Sequence, residues 1–354
     1  MNKFLITIIF LLILQGFNYS GKSCTTFVID NKTDLVFGKN FDFDVGFGHV
    51  IVNKRKVKKV AMIQPPEKPI EWISRYGSVT FNQWGREFPY GGINEKGLVI
   101  EQMWLDETKY AEMDERYGLS ELQWIQYQLD NSKNVNEVIQ SDTLIRISFQ
   151  SVAPLHFLVC DMAGNRATIE YINGKMVVHK DSSLFTSVLT NNSYKTSCDY
   201  LKTKADFGGT DSNSYTSQSL DRFANASMMI QKLGEENVID YSFDILKSVS
   251  QGKWTHWSIV YDIKNMIIYY KTRDNQNRRT INVADLDFSC SSPTLVVDIE
   301  SNMSNNRIIF NEYSYQENRA LIDSVFNNVK FLQSIPEQFK EYLARYPETT
   351  NCDE

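Results

Sequence analysis

The chain has 354 residues, of which 42% are hydrophobic and 23% charged, and its formal net charge is -6. That apolar content can bury a sizeable core, which excludes a disordered chain, and the acidic balance argues against a nucleic-acid partner, which needs a basic face to neutralise phosphates. Five cysteines, Cys24, Cys160, Cys198, Cys290 and Cys352, lie too far apart for a dense disulfide framework, and their odd number leaves at least one thiol free. With no Cys-x-x-Cys pair and only four scattered histidines, neither a metal nor another cofactor is expected.

The chain opens on Met1-Asn2-Lys3 and an apolar run from Phe4 to Leu14, the pattern of a signal peptide. A membrane-spanning helix needs about 20 apolar residues, whereas this run turns polar at Asn18-Tyr19-Ser20. Residues 1–23 are therefore predicted to be a cleaved leader and not a stable membrane anchor. The mature protein is expected to be secreted or periplasmic, or lysosomal in a eukaryotic host. Gly21 and Ser23 are small residues at the third and first places before Cys24, so a cut there leaves cysteine as the first mature residue. Lipid attachment to that cysteine is disfavoured, because it wants an aliphatic residue where Gly21 stands.

Behind Cys24, the β-branched run 25–29, a polar turn at 30–34 and a second apolar run at 35–38 predict a hairpin. Further strands are predicted at 49–53, 97–103, 156–161, 167–172, 175–179, 257–262 and 266–271, several joined by turns such as Ala163-Gly164-Asn165. Helical periodicity marks 120–129, 135–139, 220–233, 241–249, 316–329 and 336–346. Strands come in runs and so do helices, which predicts an α+β fold of antiparallel sheets with helices outside. No repeat or linker divides the chain, so one catalytic domain over 24–290 is expected, followed by a partly helical C-terminal extension over 291–354. That extension is a packed cap or a candidate surface for a homo-oligomer.

A cysteine at a chain terminus carries its own base. A free α-amine titrates at about 7.7–8.0 and a thiol at about 8.5, so proton exchange between them is nearly balanced at neutral pH. One residue can then be both nucleophile and base, with no dedicated histidine.

Several short blocks resemble one family. Cys24-Thr25-Thr26-Phe27-Val28, followed by Gly38-Lys39-Asn40-Phe41-Asp42, is similar to the nucleophile strand and the Gly-Arg-Asn-x-Asp segment of the cysteine N-terminal-nucleophile hydrolases. These include choloylglycine (bile salt) hydrolase, penicillin V acylase, acid ceramidase and N-acylethanolamine acid amidase. Gly92-Ile93-Asn94-Glu95-Lys96-Gly97-Leu98, Leu189-Thr190-Asn191-Asn192 and Ser219-Leu220-Asp221-Arg222-Phe223 resemble further blocks of that family, in the same order. The resemblance spans about residues 24 to 290.

The resemblance implies a four-layered αββα sandwich and hydrolysis of a linear amide C–N bond in a small-molecule N-acyl substrate, through a thioester on Cys24. An acyltransferase of the same fold, or a secreted binding protein that has lost catalysis, is the alternative. It also implies roles for individual residues: Asp42 holds the α-amine of Cys24, Asn191 donates to the oxyanion, and Arg222 places a cation beside the thiolate. Read without the family, Asp42 and Asp44 end a strand where a polar loop begins. Leu220, Phe223 and Ala224 share one side of the predicted helix, so Arg222 is expected to point away from that apolar face.

Two positions depart from the family pattern. Lys39 stands where arginine is usual, keeping the charge but losing the planar fork. Trp104 falls where bile salt hydrolases contribute an oxyanion-hole asparagine, which puts bile-salt specificity in doubt; a backbone N–H can still serve there. Phe43, Trp72, Tyr76, Trp84, Tyr90 and Trp104 lie near these segments in sequence and suit an apolar acyl group, with Trp104 the foremost pocket candidate.

Overall fold

The structure, a computed structural model, describes residues 24–209, 218–301 and 308–353; the predicted leader over 1–23 lies outside the described residues. Its centre is a pair of antiparallel sheets. The six-stranded sheet runs Val188–Leu189, Thr25–Asp30, Leu35–Asp42, Thr255–Asp262, Ile267–Thr272 and Arg279–Asn282. The nine-stranded sheet runs Lys175–Lys180, Arg166–Ile172, Leu155–Cys160, Val99–Trp104, Pro89–Asn94, Ser78–Asn82, His49–Asn53, Leu295–Asp298 and Asn311–Glu312.

Both faces of the inner strands are covered, so these strands are apolar without strict alternation. All eight residues of Leu35–Asp42 are buried. Phe27, Phe37 and Tyr261 from one sheet meet Val79, Phe81 and Met103 from the other in a single core. That core continues to the outer side of the six-stranded sheet, beneath helices α3 (Tyr194–Leu201), α4 (Gln218–Gln231) and α5 (Val238–Ser248). A second core lies outside the nine-stranded sheet, where α1 (Glu121–Asn131), α2 (Val135–Gln140), α6 (Tyr315–Asn328) and α7 (Glu337–Arg345) cover Ile100, Phe157 and Ile169. The result is the four-layered αββα sandwich.

Most predicted elements form within a few residues of their expected bounds. Ser120, predicted as the first helical residue, instead caps α1 by accepting from the Gln123 amide at 3.3 Å. Helix α3 is unpredicted: it is eight residues long and interrupted by Lys195, Thr196 and Asp199, yet Tyr194, Ser197, Cys198 and Leu201 form its buried stripe. The strands Ser78–Asn82 and Pro89–Asn94 were also hidden, the second by Pro89, Gly91 and Gly92, which are poor strand formers. Gly92 is there because the chains approach closely: a Cβ on it would lie 2.3 Å from the Val79 carbonyl oxygen.

Beyond residue 290 the chain adds Leu295–Asp298 to the nine-stranded sheet, beside His49–Asn53, before entering α6 and α7. A disulfide joins Cys290 to Cys352, while Cys24, Cys160 and Cys198 are free and buried. Among the described residues no group of three His, Cys, Asp or Glu side chains is arranged to hold a metal, and no helix is long and apolar enough to cross a membrane.

Candidate active site

Cys24 stands at the head of Thr25–Asp30, a strand hydrogen-bonded on both sides, by Leu35–Asp42 and by Val188–Leu189. The register Thr25 to Asn40 and Thr26 to Lys39 lays the Gly38–Asp42 segment alongside it. The Cys24 thiol donates to the Asp42 carbonyl at 3.9 Å. Burial pushes this thiol up; the Lys39 and Arg222 charges pull it down, and the Asp42 carboxylate works with burial.

Asp42 is the last residue of its strand, as expected, but it is not exposed where the loop begins, because the partner strand Thr255–Asp262 encloses it and leaves it 1% exposed. Its carboxylate accepts from the Thr255 hydroxyl and, at 3.1 Å, from Gln251 Nε2. Burial raises its pKa, opposed by Arg222 and by these hydrogen bonds. A bulge between Thr255 and Trp257 sets the register that pairs Thr255 with Asp42.

Arg222 is not directed away from the buried side of its helix, and it reaches the nucleophile as the resemblance implies. Leu220, Phe223 and Ala224 are buried as expected, but the long arginine side chain also turns inward and is 7% exposed. Its Nη1 donates to the Cys24 carbonyl at 2.8 Å and to the Thr25 hydroxyl at 2.6 Å, and Nη2 donates to Asn191 Oδ1 at 3.2 Å. Asn191 is held in turn: its Nδ2 donates to the Trp104 carbonyl at 2.8 Å and its backbone N–H to the Ser219 hydroxyl at 2.9 Å. Under this segment His156 bonds the Thr190 carbonyl at 2.7 Å and Glu170 at 3.1 Å, a buried brace.

Lys39 is 1% exposed and reaches across to the facing sheet. Its ammonium bonds the Gln102 carbonyl and lies 3.7 Å from Glu101 Oε2. Glu101 Oε1 accepts from the Tyr261 hydroxyl at 2.6 Å. Burial pushes the Glu101 carboxyl up to about 7, against the pull of Lys39 and Tyr261. Lysine at this position thus offers one compact charge inside a triad and no planar fork.

A cavity of about 210 Å³ opens from Cys24 and Asp42. Phe43, Trp84, Tyr90 and Trp104 line it, with Phe41 and Phe88 added. Trp104 also donates from its indole to Asp106 at 2.6 Å. Trp72 and Tyr76 are elsewhere, despite their nearness in sequence. Trp72 is edge-on to Tyr127 at 5.6 Å in the second core and donates to Asp130 at 2.8 Å, while the Tyr76 ring lies 5.6 Å from the Lys96 ammonium. Cys24, Lys39, Asp42, Trp104, Asn191 and Arg222 are brought together.

The description "linear amide C–N hydrolases, choloylglycine hydrolase family" matches residues 24–296. The chain belongs to this family. Among its relatives, a penicillin V acylase of Pectobacterium atrosepticum is 32% identical over 193 residues, 48% of this chain and 49% of that one. The matched stretch thus spans about half the length of that curated relative. The structure of penicillin V acylase from Agrobacterium tumefaciens superposes with a TM-score of 0.70 at 26% identity, covering 82% of this chain and 98% of that one. A variant of the conjugated bile acid hydrolase from Clostridium perfringens superposes with a TM-score of 0.64 at 17% identity, covering 82% and 100%, which shows a shared fold. The αββα layering of the chain is that of the N-terminal-nucleophile hydrolases.

Sequence reasoning missed a supporting set: Thr25, Glu101, Ser219, Gln251, Thr255 and Tyr261. Only strand register and helix docking bring them to the site, and no local pattern distinguishes them from ordinary strand and cap residues. The available signals were Thr25, as the immediate neighbour of the nucleophile candidate, and Ser219, as the first residue of the block that carries Arg222.

Proposed function

We propose that this protein hydrolyses the amide bond of a small N-acyl substrate, with Cys24 as terminal nucleophile. The observation that carries the reading is the Cys24 thiol at one end of an apolar cavity, with the buried Arg222 guanidinium tying the Cys24 carbonyl to a clamped asparagine amide behind it. Removal of residues 1–23 frees the Cys24 α-amine, with the Asp42 carboxylate in the adjoining strand as its charged partner. The amine takes the thiol proton as Sγ bonds to the acyl carbon, and the carbonyl pair moves onto oxygen.

The Asn191 side chain, fixed by Trp104 and Arg222, presents its remaining amide hydrogen to that oxyanion. Such a donor is worth about 3–4 kcal/mol of barrier. Arg222 and Lys39 offset the desolvation cost of the thiolate. Collapse of the intermediate breaks the C–N bond, and the leaving amine takes the proton held by the α-amine. Water, deprotonated by the same amine, then attacks the thioester carbon and restores the thiol.

Export by the N-terminal leader belongs to this proposal. It is supported by the apolar run at Phe4 to Leu14 and by the Cys290–Cys352 disulfide, a bond that persists in oxidising compartments. The test is intact-mass analysis of the mature protein and of a rapidly quenched reaction. A first residue at Cys24, an acyl adduct on that residue, and loss of turnover in Cys24→Ala are expected. A chain starting elsewhere, or an active Cys24→Ala variant, overturns the reading.

A further inference from the structure

The cavity that begins at Cys24 does not end inside the region that matches the family. Its far lining comes from Phe326, Phe331, Leu332, Ile335, Phe339 and Leu343, all apolar and all beyond residue 296. They belong to the end of α6, the connection and α7. Nearer the cysteine the walls are Phe41, Phe43 and Tyr90, and Trp84 continues them to Phe326, so the lining is apolar along most of its length.

This far wall is fixed in place. Asn318 on α6 donates to the Ala344 carbonyl at 3.0 Å and accepts from the Arg86 amide at 2.9 Å, tying α6 to α7 and to the connection between two strands of the nine-stranded sheet. Tyr346 donates to the Val60 carbonyl at 2.7 Å, and Phe326 packs edge-on against Trp84 at 5.0 Å. The Cys290–Cys352 disulfide closes the segment at both ends. A wall so anchored gives a pocket of set depth, which discriminates by how much apolar surface a ligand buries.

We propose that the C-terminal helices are the specificity element of this site, selecting substrates whose acyl group is a long, uncharged apolar chain that reaches residues 326–343. The proposal rests on the N-acyl hydrolase reading for its reaction, but not for its binding. Each methylene buried along the channel raises kcat/KM by about fourfold until the far wall is met. A substrate whose acyl group carries a charge at its far end meets no partner there and is rejected.

The experiment uses N-acyl amides of one fixed amine, from butyryl to myristoyl, with the mature protein and with the Ile335→Trp and Phe339→Trp variants. Affinity for the same series is measured by calorimetry on Cys24→Ala. A steep rise of kcat/KM with chain length is expected in the wild type, with the long-to-short ratio falling by about four- to sixteenfold in either variant, since about one to two methylenes of depth are lost. Phe339 is half exposed, so its replacement keeps the test alive should Ile335→Trp fail to fold.

A flat chain-length profile, or an unchanged ratio in both folded variants, overturns the proposal while leaving the hydrolase reading intact. Chain-length-dependent binding to Cys24→Ala, weakened by either tryptophan, with no turnover by the wild type, sustains the pocket and sinks the hydrolase reading.

Discussion

Arg222 Nη1 donates at 2.8 Å to the carbonyl oxygen of Cys24, a residue 198 positions earlier in the chain. The same nitrogen holds the Thr25 hydroxyl, and its neighbour Nη2 holds Asn191. One planar guanidinium thus ties the nucleophile strand to the asparagine across two elements, a task suited to a fork and not to a point charge. Arg222→Lys is expected to keep the positive charge but to lower kcat/KM by about tenfold or more. Arg222→Ala is expected to fall further and to lose melting temperature. Equal activity of the arginine and lysine forms in steady-state kinetics contradicts the tie.

Asn191 is locked at both ends of its side chain, by Trp104 and by Arg222. A donor so held acts on the transition state more than on the bound substrate. Asn191→Ala is expected to lower kcat by about 10²–10³ with little change in KM. A change confined to KM assigns the residue to substrate binding.

Glu101 gives a pH signature. Burial raises its carboxyl from 4.5 to about 7 in the folded protein. The native state therefore keeps a proton that the unfolded chain has released between those values. Stability from this group is present at low pH and is lost as pH rises through about 7, a change on the order of 3 kcal/mol. Urea unfolding of Glu101→Gln is expected to show a flatter stability profile from about pH 5 to 7 than the wild type. Parallel profiles reject the assignment.

Gly91 is required by Glu101. A Cβ at this position would lie 2.2 Å from Glu101 Oε2, on a carboxylate that Lys39 already faces at Oε2 and Tyr261 holds at Oε1. Gly91→Ala is expected to destabilise the fold by about 1–3 kcal/mol and to reduce turnover by displacing Lys39. A variant as stable and active as the parent shows that the triad has room to shift.

The Cys290–Cys352 disulfide closes a loop with a sequence separation of 62. Chain-entropy reasoning assigns such a loop about 4 kcal/mol. Cys290→Ser is expected to lower the melting temperature, and a reductant to lower that of the wild type to match. Chain-length selectivity is expected to weaken in the same variant, because the far wall of the cavity loses its anchor. A melting temperature indifferent to both changes removes the disulfide from the account.

The sequence determined the fold class and most element positions, and it named the mature start at Cys24 as an expectation and Cys24, Lys39, Asp42, Trp104, Asn191 and Arg222 as candidates. These were legible because an apolar period, a turn signal and a short motif are local properties that neighbouring residues spell out. Tertiary structure decided where side chains with no local mark are sent. Arg222 turns inward though its helix face did not predict it, and Asp42, at the end of its strand, is enclosed by Thr255 and Gln251 instead of being exposed. Trp72 and Tyr76 leave a pocket that their sequence positions suggested, while α6 and α7 enter it from the other end of the chain. The physical reason is common to all of these. Strand register and helix docking are fixed by burial summed over whole layers, so the neighbours of one buried side chain depend on residues hundreds of positions away.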